Sequence, residues 1–115
     1  MTTQELANNC QKMINHLISL INNNNKSMSY DDELCIKNII KQYKIIKEKA
    51  ESGIINLMEY SVGYNYAAYL KTNLPWDIKS LKQYAVKYTL DDIKELEDFS
   101  FYLNNKYTTI NPNKL

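Results

Sequence analysis

From Leu6 onward the apolar residues return in steps of three and four: Leu6, Cys10, Met13, Ile14, Leu17, Leu20 and Ile21. At about 100° per residue these positions fall on one side of an α-helix. The same spacing recurs in Cys35, Ile36, Ile39, Ile40, Tyr43, Ile46 and Ala50, then in Ile78, Leu81, Tyr84, Ala85 and Tyr88, and again in Leu90, Ile93, Leu96, Phe99 and Leu103. A helix with one apolar stripe must bury it against another element, which confines this chain to packings of helix on helix. No stretch alternates with period two for long enough to make a strand. The nearest, VKYTL at 86–90, has a capping pattern running through it. The expected fold is all-α: a single domain over residues 1–115, built as a compact bundle of about five amphipathic helices, with 1–2 and 105–115 irregular.

Local signals set the boundaries. Thr2 and Glu5 form the T-x-x-E pattern of a capping box, and the first helix runs from there to about Asn22. The polar run NNNNKSMS (22–29) connects it to a second helix. Ser29 caps that helix, the acids of YDDE favour its first turn, and Gly53 stands where a glycine ends it. A third helix is expected over 54–70. The turn NLPWD (73–77) then opens a fourth with Pro75 near its start, and Thr89 with Asp92 caps a fifth.

The third segment contains YSVGYNYAAY, four tyrosines in ten residues around Gly63. On a helical wheel Ile55, Met58, Val62, Tyr66 and Tyr69 take one side, and Leu57, Tyr60, Tyr64 and Ala68 another. Only a narrow polar strip remains, with Asn56, Glu59 and Gly63. A helix apolar nearly all round is a buried one, so these tyrosines read as the centre of the bundle and not as a platform for stacking bases. A glycine inside a helix costs about 1 kcal/mol relative to alanine, which a close helix crossing at Gly63 would explain.

Charge narrows function. The net charge is +1, and all 14 basic residues are lysine. Without arginine the bidentate contacts suited to phosphate and guanine are missing. No apolar run approaches the roughly 18 residues of a membrane span, and MTTQELANNCQK begins polar, unlike a secretory signal. The expectation is a cytoplasmic protein with no membrane partner. Heavy use of Ile, Asn, Lys and Tyr, all with A/T-rich codons, fits an AT-rich genome, whether of a bacterium, a phage or a protist, and is compatible with a phage or mobile element. Cys10 and Cys35 lack CxxC spacing and read as free thiols. In an antiparallel hairpin of the first two helices they sit about 10 Å apart along the axis, beyond the roughly 7 Å Cα limit of a disulfide.

No catalytic, cofactor or metal constellation stands out. His16 lies at the polar edge of the first helix, near Glu5, Asn9 and Lys12, and its position on the wheel keeps it well away from Cys10. Lys37, Lys41 and Lys44 share the outer face of the second helix. Three lysines in a row can follow a phosphate backbone, but they lack aromatic interleaving and more often form a solvated face. On the fifth helix Asp91, Glu95, Asp98 and Tyr102 share a face read as outward, an aromatic anchor among steering acids. Leu34, Ile45 and Phe101 also lie off the main apolar faces.

The sequence therefore leads to a small non-catalytic helical protein that binds and blocks or regulates another protein through a basic surface on that partner. Inhibitors, immunity proteins and phage counter-defence proteins work in this way. The alternative is a nucleic-acid-associated regulator using Lys37, Lys41 and Lys44. Homo-oligomerisation stays open.

Overall fold

The computed structural model describes residues 2–24, 26–53, 69–84 and 90–107. Its first helix, α1 (Thr3–Asn23), starts on the expected capping box: the Glu5 amide donates to Thr2 Oγ1 at 3.1 Å, and the Thr2 amide donates to Glu5 Oε1 at 3.3 Å. Such a cap stabilises a helix end by about 1 kcal/mol. The predicted stripe is the buried one, from Leu6 to Leu20, joined by Ala7. In α2 (Tyr30–Glu51) the Asp32 amide donates to Ser29 Oγ at 3.2 Å, and three acids occupy the first turn. Ile36, Ile39, Ile40, Tyr43, Ile46 and Ala50 are buried. Gly53 ends this helix with φ +82, the left-handed conformation that glycine adopts without a Cβ penalty.

A short connection folds α2 back against α1, and the two stripes face each other along their lengths. Gln11, early in α1, accepts a 2.8 Å hydrogen bond from Lys47 Nζ, late in α2, as an antiparallel pair requires. Cys10 is buried, Cys35 is half-buried, and both are free thiols.

The predicted third helix lies outside the described residues except for its last two, Tyr69 and Leu70. The readings of Gly63 and of the tyrosine cluster lie outside them too. Tyr69–Asn73 is a π-helical turn leading into α3 (Leu74–Ser80), with Pro75 in its first turn. Proline has no amide N–H to donate and its ring crowds the carbonyl four residues back, so a regular α-turn does not pass through it. The stripe read as one continuous fourth helix is interrupted: after Ser80 the backbone tightens into a 3₁₀ turn, Leu81–Tyr84.

The last helix, α4 (Leu90–Tyr107), buries Ile93, Leu96, Phe99 and Leu103 as expected. Leu90, read with them on the inner side, is instead exposed, at the N-terminal end of α4. Buried residues from α1, α2, the π-turn, α3 and α4 form a single cluster. Tyr43 of α2 and Phe99 of α4 meet edge to face across it, with ring centroids 5.6 Å apart. The architecture is all-α, and four α-helices make it up among the described residues. None of these helices is long and apolar enough to cross a membrane.

A candidate protein-binding groove between α1 and α4

Lys12 and His16 stand four residues apart on α1, and Asp92 and Glu95 stand three apart on α4. Both spacings keep a pair on one helix face, and here the two faces meet. Lys12 Nζ lies 2.9 Å from Glu95 Oε2, His16 Nε2 lies 3.0 Å from that same oxygen, and His16 Nδ1 lies 3.6 Å from Asp92 Oδ1. The Lys12 ammonium and then His16 hold the Glu95 carboxyl below its ordinary range. His16 thus leaves the company expected for it and spans to the far helix. Asp92, expected to cap α4 with Thr89, extends its carboxylate to His16, while Thr89 is outside the described residues.

Beside this ionic seam runs a shallow groove of about 330 Å³. Met13 of α1 and Phe99 of α4 are buried beneath it, and Tyr102 forms part of its wall. Lys12, Glu95 and Asp98 stand along its edge. Three of the four residues read as an outward face therefore border one concavity. Their orientation differs from the expectation. Tyr102 does not point away from the core: it is half-buried, packs against the apolar cluster, and stacks on Phe99 with centroids 6.3 Å apart. Glu95 is engaged by α1. Asp91 and Asp98 are exposed, and neither has an ion-pair partner among the described residues.

The lysine face is where the sequence put it. Lys37, Lys41 and Lys44 are exposed along α2, and Lys37 also lies 3.8 Å from Glu33 one turn back. Leu34 and Phe101 are exposed and Ile45 is half-buried.

A second polar cluster joins α2 to the α3 region. The Cys35 thiol lies beside the Asp77 carboxylate, and the Tyr84 hydroxyl donates to Asp32. Burial, and then the nearby Asp77 and Asp32, push the Cys35 thiol up to about 11. Burial likewise raises Asp77 above its ordinary value. A thiol held neutral in this way is a poor nucleophile, because the thiolate is the reactive form. No group of three or more His, Cys, Asp or Glu residues able to hold a metal ion occurs among the described residues. What the α1–α4 groove offers chemically is shape, apolar contact and negative charge.

Sequence reasoning missed the link from His16 and Lys12 to Glu95. Its signal was present as two complementary spacings, a basic pair on one helix and an acidic pair on another. Comparisons of this chain with protein families, with curated proteins and with solved structures each find no match.

Proposed function

We propose that the chain is a small non-catalytic cytoplasmic protein that binds a basic surface of another protein at the α1–α4 groove, and so blocks or regulates it. Inhibitor, immunity and counter-defence proteins exemplify this mode of action. The observation that carries the reading is the placement of exposed Asp98 beside half-buried Tyr102 over buried Met13 and Phe99. A lysine or arginine from a partner can lay its aliphatic stem on the ring and bring its charge to Asp98. Asp91, two turns earlier on α4, adds to the field that steers such a partner in.

The exposure of Lys41 and Lys44 supports a second reading, association with nucleic acid along α2. One experiment separates the two. The wild-type chain, an Asp91→Lys/Asp98→Lys variant and a Lys41→Glu/Lys44→Glu variant are immobilised and exposed to host extract at low and moderate salt. The groove reading expects a protein held by the wild type and the lysine-face variant at both salt concentrations and lost from the aspartate variant. With the purified partner, charge reversal should lower the association rate about tenfold at low salt. Retention of one protein by all three chains would overturn the groove reading. Nucleic acid lost from the lysine-face variant alone, and sharply weakened by salt, would install the second.

A further inference from the structure

The outer side of α4, turned away from buried Ile93, Leu96, Phe99 and Leu103, carries Leu90, Lys94, Asp98 and Phe101, all exposed. At about 100° per residue the four fall within an arc of about 80° opposite Leu96. At 1.5 Å per residue they span about 17 Å of the helix. Leu90 is 55% exposed and Phe101 67% exposed, so a large apolar side chain stands at each end of one stripe. Between them lie a base and an acid. Neither Lys94 nor Asp98 has an ion-pair partner among the described residues, and they do not pair with each other. Their order along the helix, base before acid, is the one that pairs less well within a helix.

That order is self-complementary when the helix meets a second copy running the other way. A twofold axis at the level of Leu96 exchanges positions before it with positions after it. Lys94 and Asp98 stand two residues to either side of Leu96, so each lysine comes level with the other copy's aspartate, and the pair forms twice. Leu90 stands six residues before Leu96 and Phe101 five after it, so each leucine comes level with the other copy's phenylalanine. One contact thus matches apolar ends to apolar ends and opposite charges to each other, and a twofold contact closes on itself without leaving a sticky end. The outer face of α2 has no such property, because Lys37, Lys41 and Lys44 would meet lysines.

We infer that the outer face of α4 is a homodimer interface, in which two copies pair their α4 helices antiparallel about the level of Leu96. The stripe is short beside the roughly 800 Å² that each partner of a standard interface buries, so the dimer is a weak and concentration-dependent one. The inference does not rest on the groove reading: Leu90, Lys94 and Phe101 do not line the groove, and only Asp98 borders both.

The test is sedimentation equilibrium of the whole chain from about 10 µM to about 1 mM, the range in which so small an interface associates. The wild type should pass from monomer to dimer and stop there. Lys94→Asp sets carboxylates against each other across the axis and Asp98→Lys sets ammonium groups so; each should weaken the dimer about tenfold. The double exchange Lys94→Asp/Asp98→Lys should return the dissociation constant to within about threefold of the wild type. Phe101→Ser, at an exposed position, should weaken the dimer at least about tenfold with an unchanged melting curve. A wild type that stays monomeric throughout would overturn the interface. Growth in mass past the dimer would overturn the twofold closure. Single charge variants that the double exchange does not rescue would overturn the antiparallel register, and an undiminished dimer in Phe101→Ser would place the contact on another face.

Discussion

Glu95 binds α4 to α1 with one oxygen, and that geometry makes its effect on stability depend on pH. The folded chain holds its carboxyl below the ordinary value of 4.5, chiefly through Lys12 and then through His16. The folded state therefore binds this proton less readily than the unfolded state does. The stabilisation is present above about 4.5 and is lost as pH falls through the lower folded value. Glu95 is partly exposed and solvent screens the contact, so its contribution at neutral pH is a few tenths to about 1 kcal/mol. Urea midpoints for wild type and Glu95→Gln, measured from pH 7 down to pH 3, should differ at neutral pH and converge in acid. Parallel curves would show that the contact adds nothing. The capping box at Thr2 and Glu5 was legible because it is spelled within four residues. The partner of Glu95 lies 79 residues from it in His16, and only the relative rotation of two packed helices brings them together. Periodicity reports which face of a helix is apolar, but it does not report what stands across from the polar edge of that face.

Among the elements, the ends were more legible than the interruptions. Gly53 takes φ +82 after α2, and a Cβ built there would meet nothing within 4 Å. Alanine at this position therefore suffers backbone strain without a clash. Gly53→Ala should cost about 1–2 kcal/mol in urea unfolding. Gly53→Asn should cost less, because asparagine tolerates the left-handed region better. An unchanged midpoint for the alanine variant would show that the end of α2 relaxes freely. The π-turn at Tyr69–Asn73 and the 3₁₀ turn at Leu81–Tyr84 had no comparable signal. Pro75 announces a break, yet Leu74, Ile78 and Leu81 keep a helical spacing straight through the change of winding. A stripe of apolar residues records what is buried and tolerates a local widening or tightening of the turn. The acidic face of α4 was misjudged for a related reason. Tyr102 reads as outward against the stripe of its own helix, whereas it is half-buried against the shared apolar cluster and stacked on Phe99.

In the whole molecule, one apolar cluster joins α1, α2, α3 and α4, so no helix keeps its buried face if the others leave. Unfolding should be a single transition, with far- and near-ultraviolet circular dichroism superimposing. The cysteines give an independent readout of it. Burial pushes Cys10 from 9.0 up to about 12, against a smaller opposing pull from Lys47, and pushes Cys35 up to about 11. Both are thiols in the folded chain at pH 8, and alkylation by iodoacetamide should wait for unfolding and follow the same midpoint. Fast labelling of Cys35 in native buffer would reveal local opening between α2 and α3. These raised values also favour the fold below pH 9, an advantage lost as pH climbs through about 11 and 12.

The connection between α1 and α2 reads as a featureless polar spacer, but one of its asparagines acts as a fastener. Asn24 donates its side-chain amide to the Leu20 carbonyl at 2.9 Å and to the Tyr84 carbonyl at 3.3 Å, sixty residues away. The two sides of Asn24 are therefore unequal as places to lengthen the chain. Residues added after it, ahead of Ser29, open the turn in which the Ser27 and Met28 amides donate to the Asn24 carbonyl, but they leave the Asn24 side chain on both its acceptors, and each doubling of a loop costs only about 0.6 kcal/mol in closure. Residues added between Leu20 and Asn24 carry the amide out of register with both carbonyls and unfasten the hairpin from the second half of the protein. Drift in the length of this loop should accumulate on its C-terminal side, and a tag or a circular permutation has its safest entry there.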